Sequence, residues 1–98
     1  KLTVSENVAD LGGIAAALEA AKKEEDFSAE EFFTNFARIW RMKARTEYMQ
    51  LLASVDVHAP GKLRTNVQLP NFDEFHKEFD VKEGDGMWRA PEDRVIIW

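Results

Sequence analysis

Phe27-Ser28-Ala29-Glu30-Glu31-Phe32-Phe33-Thr34-Asn35-Phe36-Ala37-Arg38-Ile39-Trp40 carries the plainest fold signal in this chain. Ser28 and Glu31 form an S-x-x-E capping box, in which each side chain satisfies a free backbone N–H of the other's turn. Phe27 and Phe32 stand at the staple positions on either side of that box. Phe32, Phe33, Phe36, Ile39 and Trp40 then recur at three- and four-residue steps, the spacing of one buried helical stripe. So many aromatics on one stripe read as core rather than as a ligand site. Arg38, Arg41, Lys43 and Arg45 follow, and cations suit a helix C-terminus. A capped amphipathic helix of this kind makes the chain mainly α.

Working outward, residues 6–23 show a second stripe of Val8, Leu11, Ile14 or Ala15, and Leu18, with Ser5 as the N-cap. Two features oppose this helix. Gly12 and Gly13 each cost about 1 kcal/mol relative to Ala. Glu6 and Asp10 form a like-charge pair one turn apart. Either the helix dipole tolerates the acids, or something positive sits beside them and the glycines admit a close neighbour. Residues 22–26 read as a solvated loop. Downstream, Tyr48, Leu51, Leu52 and Val55 predict a third helix beginning after Thr46 and stopping before the Pro60-Gly61 turn signal. Residues 56–66 then read as an ordered loop holding Asp56, His58, Lys62 and Arg64. Asn71 as N-cap, Glu74, and the stripe Phe72, Phe75 and Phe79 predict a fourth helix over 71–79. Gly84-Asp85-Gly86 is a turn without the alternating acids of a calcium loop. Residues 94–98 read as a short strand or an extended tail, and the run Val95-Ile96-Ile97-Trp98 suggests a docked end. The expectation is about four helices with ordered loops.

The chain has 98 residues, and 13 basic side chains against 18 acidic ones leave a net charge of −5. That balance argues against a nucleic-acid partner, which is met by a basic patch, and against a polybasic membrane contact. No apolar run approaches the 18 residues of a spanning helix. With no Cys, disulfides, thiolate metal sites and Cys nucleophiles are excluded. The first residue is Lys1. At this size a self-sufficient core is thin.

There are two histidines and no H-E-x-x-H. His76, in the fourth helix, reads as a surface or interface residue of no special role. His58 follows Asp56 by two and precedes Pro60-Gly61. Asp56 could orient its ring, and Arg64 offers a planar fork to a carbonyl or carboxylate. An Asp, a His and an Arg so close together can bind developing negative charge, although a structural role is the commoner one for such a trio.

Three segments together carry more. Glu6-Asn7-Val8-Ala9-Asp10-Leu11-Gly12-Gly13 resembles the E-N-x-A-D-x-G-G signature of the neprilysin family of zinc metallopeptidases. Residues 56–64, Asp56-Val57-His58-Ala59-Pro60-Gly61-Lys62-Leu63-Arg64, resemble that family's D-x-H-x-P-x-x-x-R segment. Phe32 to Trp40 resembles its F-F-x-N-F-A-x-x-W helix, and Trp98 agrees with a common family ending. The resemblance implies the C-terminal helical part of a thermolysin-like (gluzincin) catalytic domain. It implies that Glu6 is the third zinc ligand, beside two histidines of an H-E-x-x-H helix. It further implies that Asp10 hydrogen-bonds one zinc histidine, that His58 stabilises the oxyanion, and that Arg64 binds a substrate backbone carbonyl. Asp56 as the partner of His58 is our own addition.

The departures shape what is expected. Animal members carry cysteines here, and this chain has none, which fits a bacterial member. The H-E-x-x-H segment is absent from residues 1–98 and is expected upstream. The chain is therefore expected to be a single C-terminal fragment, inactive alone and unable to hold catalytic zinc tightly. Its expected partners are peptide substrates and the upstream half of its own catalytic domain. An apolar face left uncovered could also pair two copies. The family resemblance suggests an exported or cell-surface bacterial protein. The competing class is a small acidic helical interaction module without catalysis.

Overall fold

The computed structural model describes residues 3–41 and 43–97. Among them are five α-helices and two 3-10 turns, in the order α1 (Val4–Ala21), α2 (Ala29–Trp40), α3 (Thr46–Val55), α4 (Gly61–Asn66), a 3-10 turn (Leu69–Asn71), α5 (Asp73–Glu78) and a 3-10 turn (Pro91–Asp93). No strand is assigned among the described residues. No helix among them is long and apolar enough to cross a membrane.

The start of α2 follows its sequence signal. Ser28 is extended, and its hydroxyl accepts from the Glu31 N–H at 3.3 Å. Phe33 is fully buried, packed edge-on against Phe32 at 5.3 Å and Phe75 at 5.5 Å between ring centres. Ile14 and Leu18 of α1, Leu69 and Phe75 complete the buried cluster, with Phe27, Phe36, Phe72 and Met87 packed around it. Helix α2 is the hub, resting against both α4 and α5. Lys22, just past the end of α1, donates to Glu74 at 2.8 Å and so ties α1 to α5. Burial acts to raise the Glu74 carboxyl, but the hydrogen bond from Lys22 helps hold it below its usual range.

Several expectations are corrected. Helix α1 begins at Val4 with Thr3 before it, so Ser5 lies inside the helix and is not its cap. The 56–66 loop contains α4. Pro60, with φ −56°, presents its carbonyl to the N–H groups of Leu63 at 2.9 Å and Arg64 at 3.0 Å, so the expected turn opens a helix instead. The predicted fourth helix becomes α5, and its cap position is Phe72, not Asn71. The apolar stripe of α2 is only partly core: Phe33 is buried, Phe32, Phe36 and Trp40 are half-buried, and Ile39 is 72% exposed. No residue of α3 is buried, and Tyr48, Leu51 and Val55 face outward as an apolar stripe. His76 is buried rather than on the surface. Its Nε2 lies 2.8 Å from the Pro70 carbonyl, which can only accept, so Nε2 donates. Residues 94–97 are an extended tail with no strand partner, and Trp98 lies outside the described residues. The radius of gyration is 14.4 Å, against about 13 Å for a compact domain of this length, which agrees with the thin core.

Asn71 does a different task from capping. Its side-chain carbonyl accepts from Arg89 Nη1 at 2.8 Å and from the Val95 N–H at 3.0 Å. Arg94 adds a bond from Nη1 to Asp73 at 2.8 Å and one from Nε to the Arg89 carbonyl at 2.9 Å. These bonds strap the tail across the start of α5. Replacing Asn71 with Ala orphans two donors, so unfolding in urea should show a loss of about 1–3 kcal/mol. Hydrogen exchange at the Val95 amide should accelerate as well. Asn71→Asp, which keeps an acceptor for Arg89, should lose less.

Candidate functional site

The five residues singled out in the sequence converge, although they come from α1, the 56–60 connection and α4. Glu6 and Asp10 lie one turn apart on α1. Asp56 is the residue that ends α3, and its Oδ1 accepts the His58 backbone N–H at 3.1 Å. The same oxygen lies 3.1 Å from His58 Nδ1, while Glu6 Oε2 lies 3.3 Å from His58 Nε2. Each ring nitrogen thus faces a carboxylate. A neutral imidazole can donate to only one of them, and a charged one to both.

Arg64 meets Asp10 with both edges of a fork. Nε donates to Oδ2 and Nη2 to Oδ1, each at 2.7 Å. The side chains are only 16% and 19% exposed, so this is a sheltered, bidentate pair of the strong kind. It answers the question of the acidic α1 face: something positive does sit beside Asp10. Gly13 is different, since a Cβ there would meet nothing within 4 Å, and no described element closes on it.

Arg64 is held from a second side as well. Its guanidinium carbon lies 3.7 Å from the centre of the Trp40 ring. Trp40 ends α2 and was read as core; it is half-buried and serves as a platform. Gly61, read as part of a turn, opens α4 where a Cβ would come within 2.6 Å of the Trp40 carbonyl oxygen. The placement of Gly61 and Arg64 three residues apart after a proline was the available signal, because that spacing puts both on one helical face.

His58 and Arg64 line one groove of about 460 Å³ with Val8, Leu11, Leu63 and the tail residues Val95 and Ile97. Gln68 closes its α1 side by donating to the Asn7 carbonyl at 2.9 Å. The groove is apolar in its walls and polar at His58 and Arg64. Among the described residues no group of three His, Cys, Asp or Glu could hold a metal ion. Glu6 is a carboxylate donor of the type zinc accepts beside two histidines. The donors present therefore fit one position of such a site.

An imidazole and a guanidinium on one apolar groove, each anchored by a carboxylate from another element, form an arrangement suited to polar groups of an extended ligand. Comparison with known proteins sharpens this. The profile described as Peptidase family M13 matches residues 1–95. A neutral endopeptidase of Lactococcus lactis subsp. lactis (strain IL1403) is 59% identical over 98 residues, covering 100% of this chain and 16% of that protein. A neutral endopeptidase of Lactobacillus helveticus is 45% identical, over 100% of this chain and 15% of its own length. Neprilysin of Homo sapiens is 32% identical over 98% of this chain and 14% of its length. No solved structure matches significantly. The chain belongs to peptidase family M13. It spans about 16% of the length of the bacterial relative from L. lactis.

Two outcomes follow from this geometry. The His58 backbone N–H, then its side chain, hold the Asp56 carboxyl below the ordinary aspartate value of 3.8. The order that Asp56 gives the loop is therefore present above the unfolded value, and is lost only as pH falls through the lower folded one. A carbon NMR titration should place the Asp56 midpoint below 3.8. His58→Ala should move it only part of the way back, because the backbone N–H remains. Arg64→Ala should cost about 3 kcal/mol in denaturant unfolding, the lower end of the range for breaking a buried pair, since the two side chains keep some exposure. Arg64→Lys should recover less than half of that, since an ammonium cannot reproduce the fork.

Proposed function

We propose that this chain is the C-terminal, site-bearing part of a zinc-dependent endopeptidase, in which Glu6 is a metal ligand and His58 and Arg64 handle the peptide. What supports the reading is that Glu6 and Asp56 meet His58, that Asp10 meets Arg64, and that His58 and Arg64 line one groove. Membership of a peptidase family and the endopeptidase names of the bacterial relatives support it further.

In this reading Glu6 would hold zinc together with two histidines from outside this chain. Zinc there would polarise a water for attack on a peptide carbonyl. The chain's own residues do the rest. His58 would turn its Nε2 N–H, which faces Glu6 at 3.3 Å here, toward the oxygen that gains charge, and Asp56, 3.1 Å from Nδ1, would set the ring's orientation. Arg64 offers a substrate backbone carbonyl the N–H groups that Asp10 leaves free. Asp10, one turn beyond Glu6 and held by the Arg64 fork, would in this reading also accept from a metal-bound histidine.

The groove's apolar wall of Val8, Leu11, Val95 and Ile97 would take an apolar peptide side chain.

Because the 98 residues hold no H-E-x-x-H, the isolated chain should neither cleave peptides nor bind zinc in a stoichiometric, tight manner. Dialysis against zinc followed by metal analysis tests this, and one tightly bound zinc per chain would contradict the reading. In the whole polypeptide, Glu6→Gln should lose zinc to a competing chelator far more readily than the unaltered protein. Asp56→Asn should lower kcat, by less than the roughly hundredfold or more that loss of a whole general acid–base or oxyanion group costs. Unchanged kinetics in Asp56→Asn would remove Asp56 from the mechanism.

A further inference from the structure

We propose that Trp40 and Gly61 are positioning residues for Arg64: together they form the seat that fixes the plane of its guanidinium. The inference rests on the reading that Arg64 binds substrate. Trp40 is the last residue of α2 and Gly61 the first of α4. The missing side chain at Gly61 lets α4 begin directly against the Trp40 carbonyl, where a Cβ would stand 2.6 Å from the oxygen. Arg64 lies one turn further along the same face, which brings its guanidinium carbon to 3.7 Å from the indole centre.

Two constraints then act on one flat group. The indole sets the position of one face of the guanidinium. Asp10 takes Nε and Nη2 at 2.7 Å and sets its rotation within that plane. Either constraint alone leaves freedom: a carboxylate fork permits tilting, and a ring platform permits spinning. With both, the arginine has one orientation, and Nη1, which has no hydrogen bond among the described residues, is the edge left for a substrate acceptor. Three helices meet at this point, since Asp10 belongs to α1, Trp40 to α2 and Arg64 to α4.

The test uses the whole polypeptide that carries this chain, with a fluorogenic peptide substrate. Trp40→Leu should raise KM about five- to tenfold, the scale of one cation–π contact, with kcat within about twofold. Trp40→Phe, which keeps a π-face, should recover most of that loss. Gly61→Ala should also raise KM selectively, provided that circular dichroism shows an unchanged fold. A double-mutant cycle supplies the deciding readout: in an Arg64→Ala background, Trp40→Leu should change KM by less than about twofold. If the Trp40 and Arg64 effects multiply instead, or if Trp40→Phe is as impaired as Trp40→Leu, the seat is refuted. If Arg64→Ala itself leaves KM unchanged, the substrate role of Arg64 fails and takes this inference with it. A KM rise in Arg64→Ala without one in Trp40→Leu sinks the seat alone.

Discussion

The pairing of Arg64 with Asp10 is the constraint on which the site's geometry depends. It is a bidentate bond between residues 54 apart, with both contacts at 2.7 Å and both side chains largely sheltered. A charge so placed cannot be left alone without cost, so the two helices that carry the pair are held in one register. That register sets where α1 lies relative to α4. It thereby sets where Glu6, one turn before Asp10, finds His58. The indole of Trp40 adds α2 to the same junction.

The packing around this junction is economical. One buried ring, Phe33, holds α2 against α5, with Ile14 and Leu18 of α1, Leu69 and Phe75 around it. The other half of the structure is organised by polar bonds. Asn71 gathers Arg89 and the Val95 amide, and Arg94 reaches Asp73. The tail so strapped places Val95 and Ile97 in the groove wall beside His58 and Arg64. A segment far from the site in sequence thus helps to shape it. Helix α3 buries no residue, and its apolar side chains Tyr48 and Leu51 are exposed.

How much could be read in advance differs by element. The start of α2 was legible because a capping box is a local device, complete within four residues. The turn at 84–86 was legible for a similar reason, and Gly84, at φ +101°, takes a conformation that glycine favours. Helix α4 was missed because Pro60-Gly61 has the composition of a turn. Only the Trp40 carbonyl against Gly61 shows why a glycine opens a helix there. Asn71 looked like a cap because its type and spacing suit one. Its two partners, Arg89 and Val95, are too distant in sequence for any local pattern to reveal. The stripe on α3 was legible as helical, but its exposure was not, since periodicity reports a face and not what covers it.

The candidate site divides along the same line. Motif spacing named Glu6, Asp10, Asp56, His58 and Arg64, and the family assignment was reachable from those segments together with residues 32–40. Sequence by itself therefore determined the mainly helical class, the family, and which side chains could carry chemistry. All of these depend on residue type at short separations. The pairing of His58 with Asp56, two residues apart, was legible in the sequence as well, whereas tertiary structure alone decided the distant pairings: Arg64 with Asp10 and Trp40, His58 with Glu6, and the tail against α5. The physical reason is that a bond between residues tens of positions apart is chosen by how the helices pack. No rule of local propensity or spacing contains that choice.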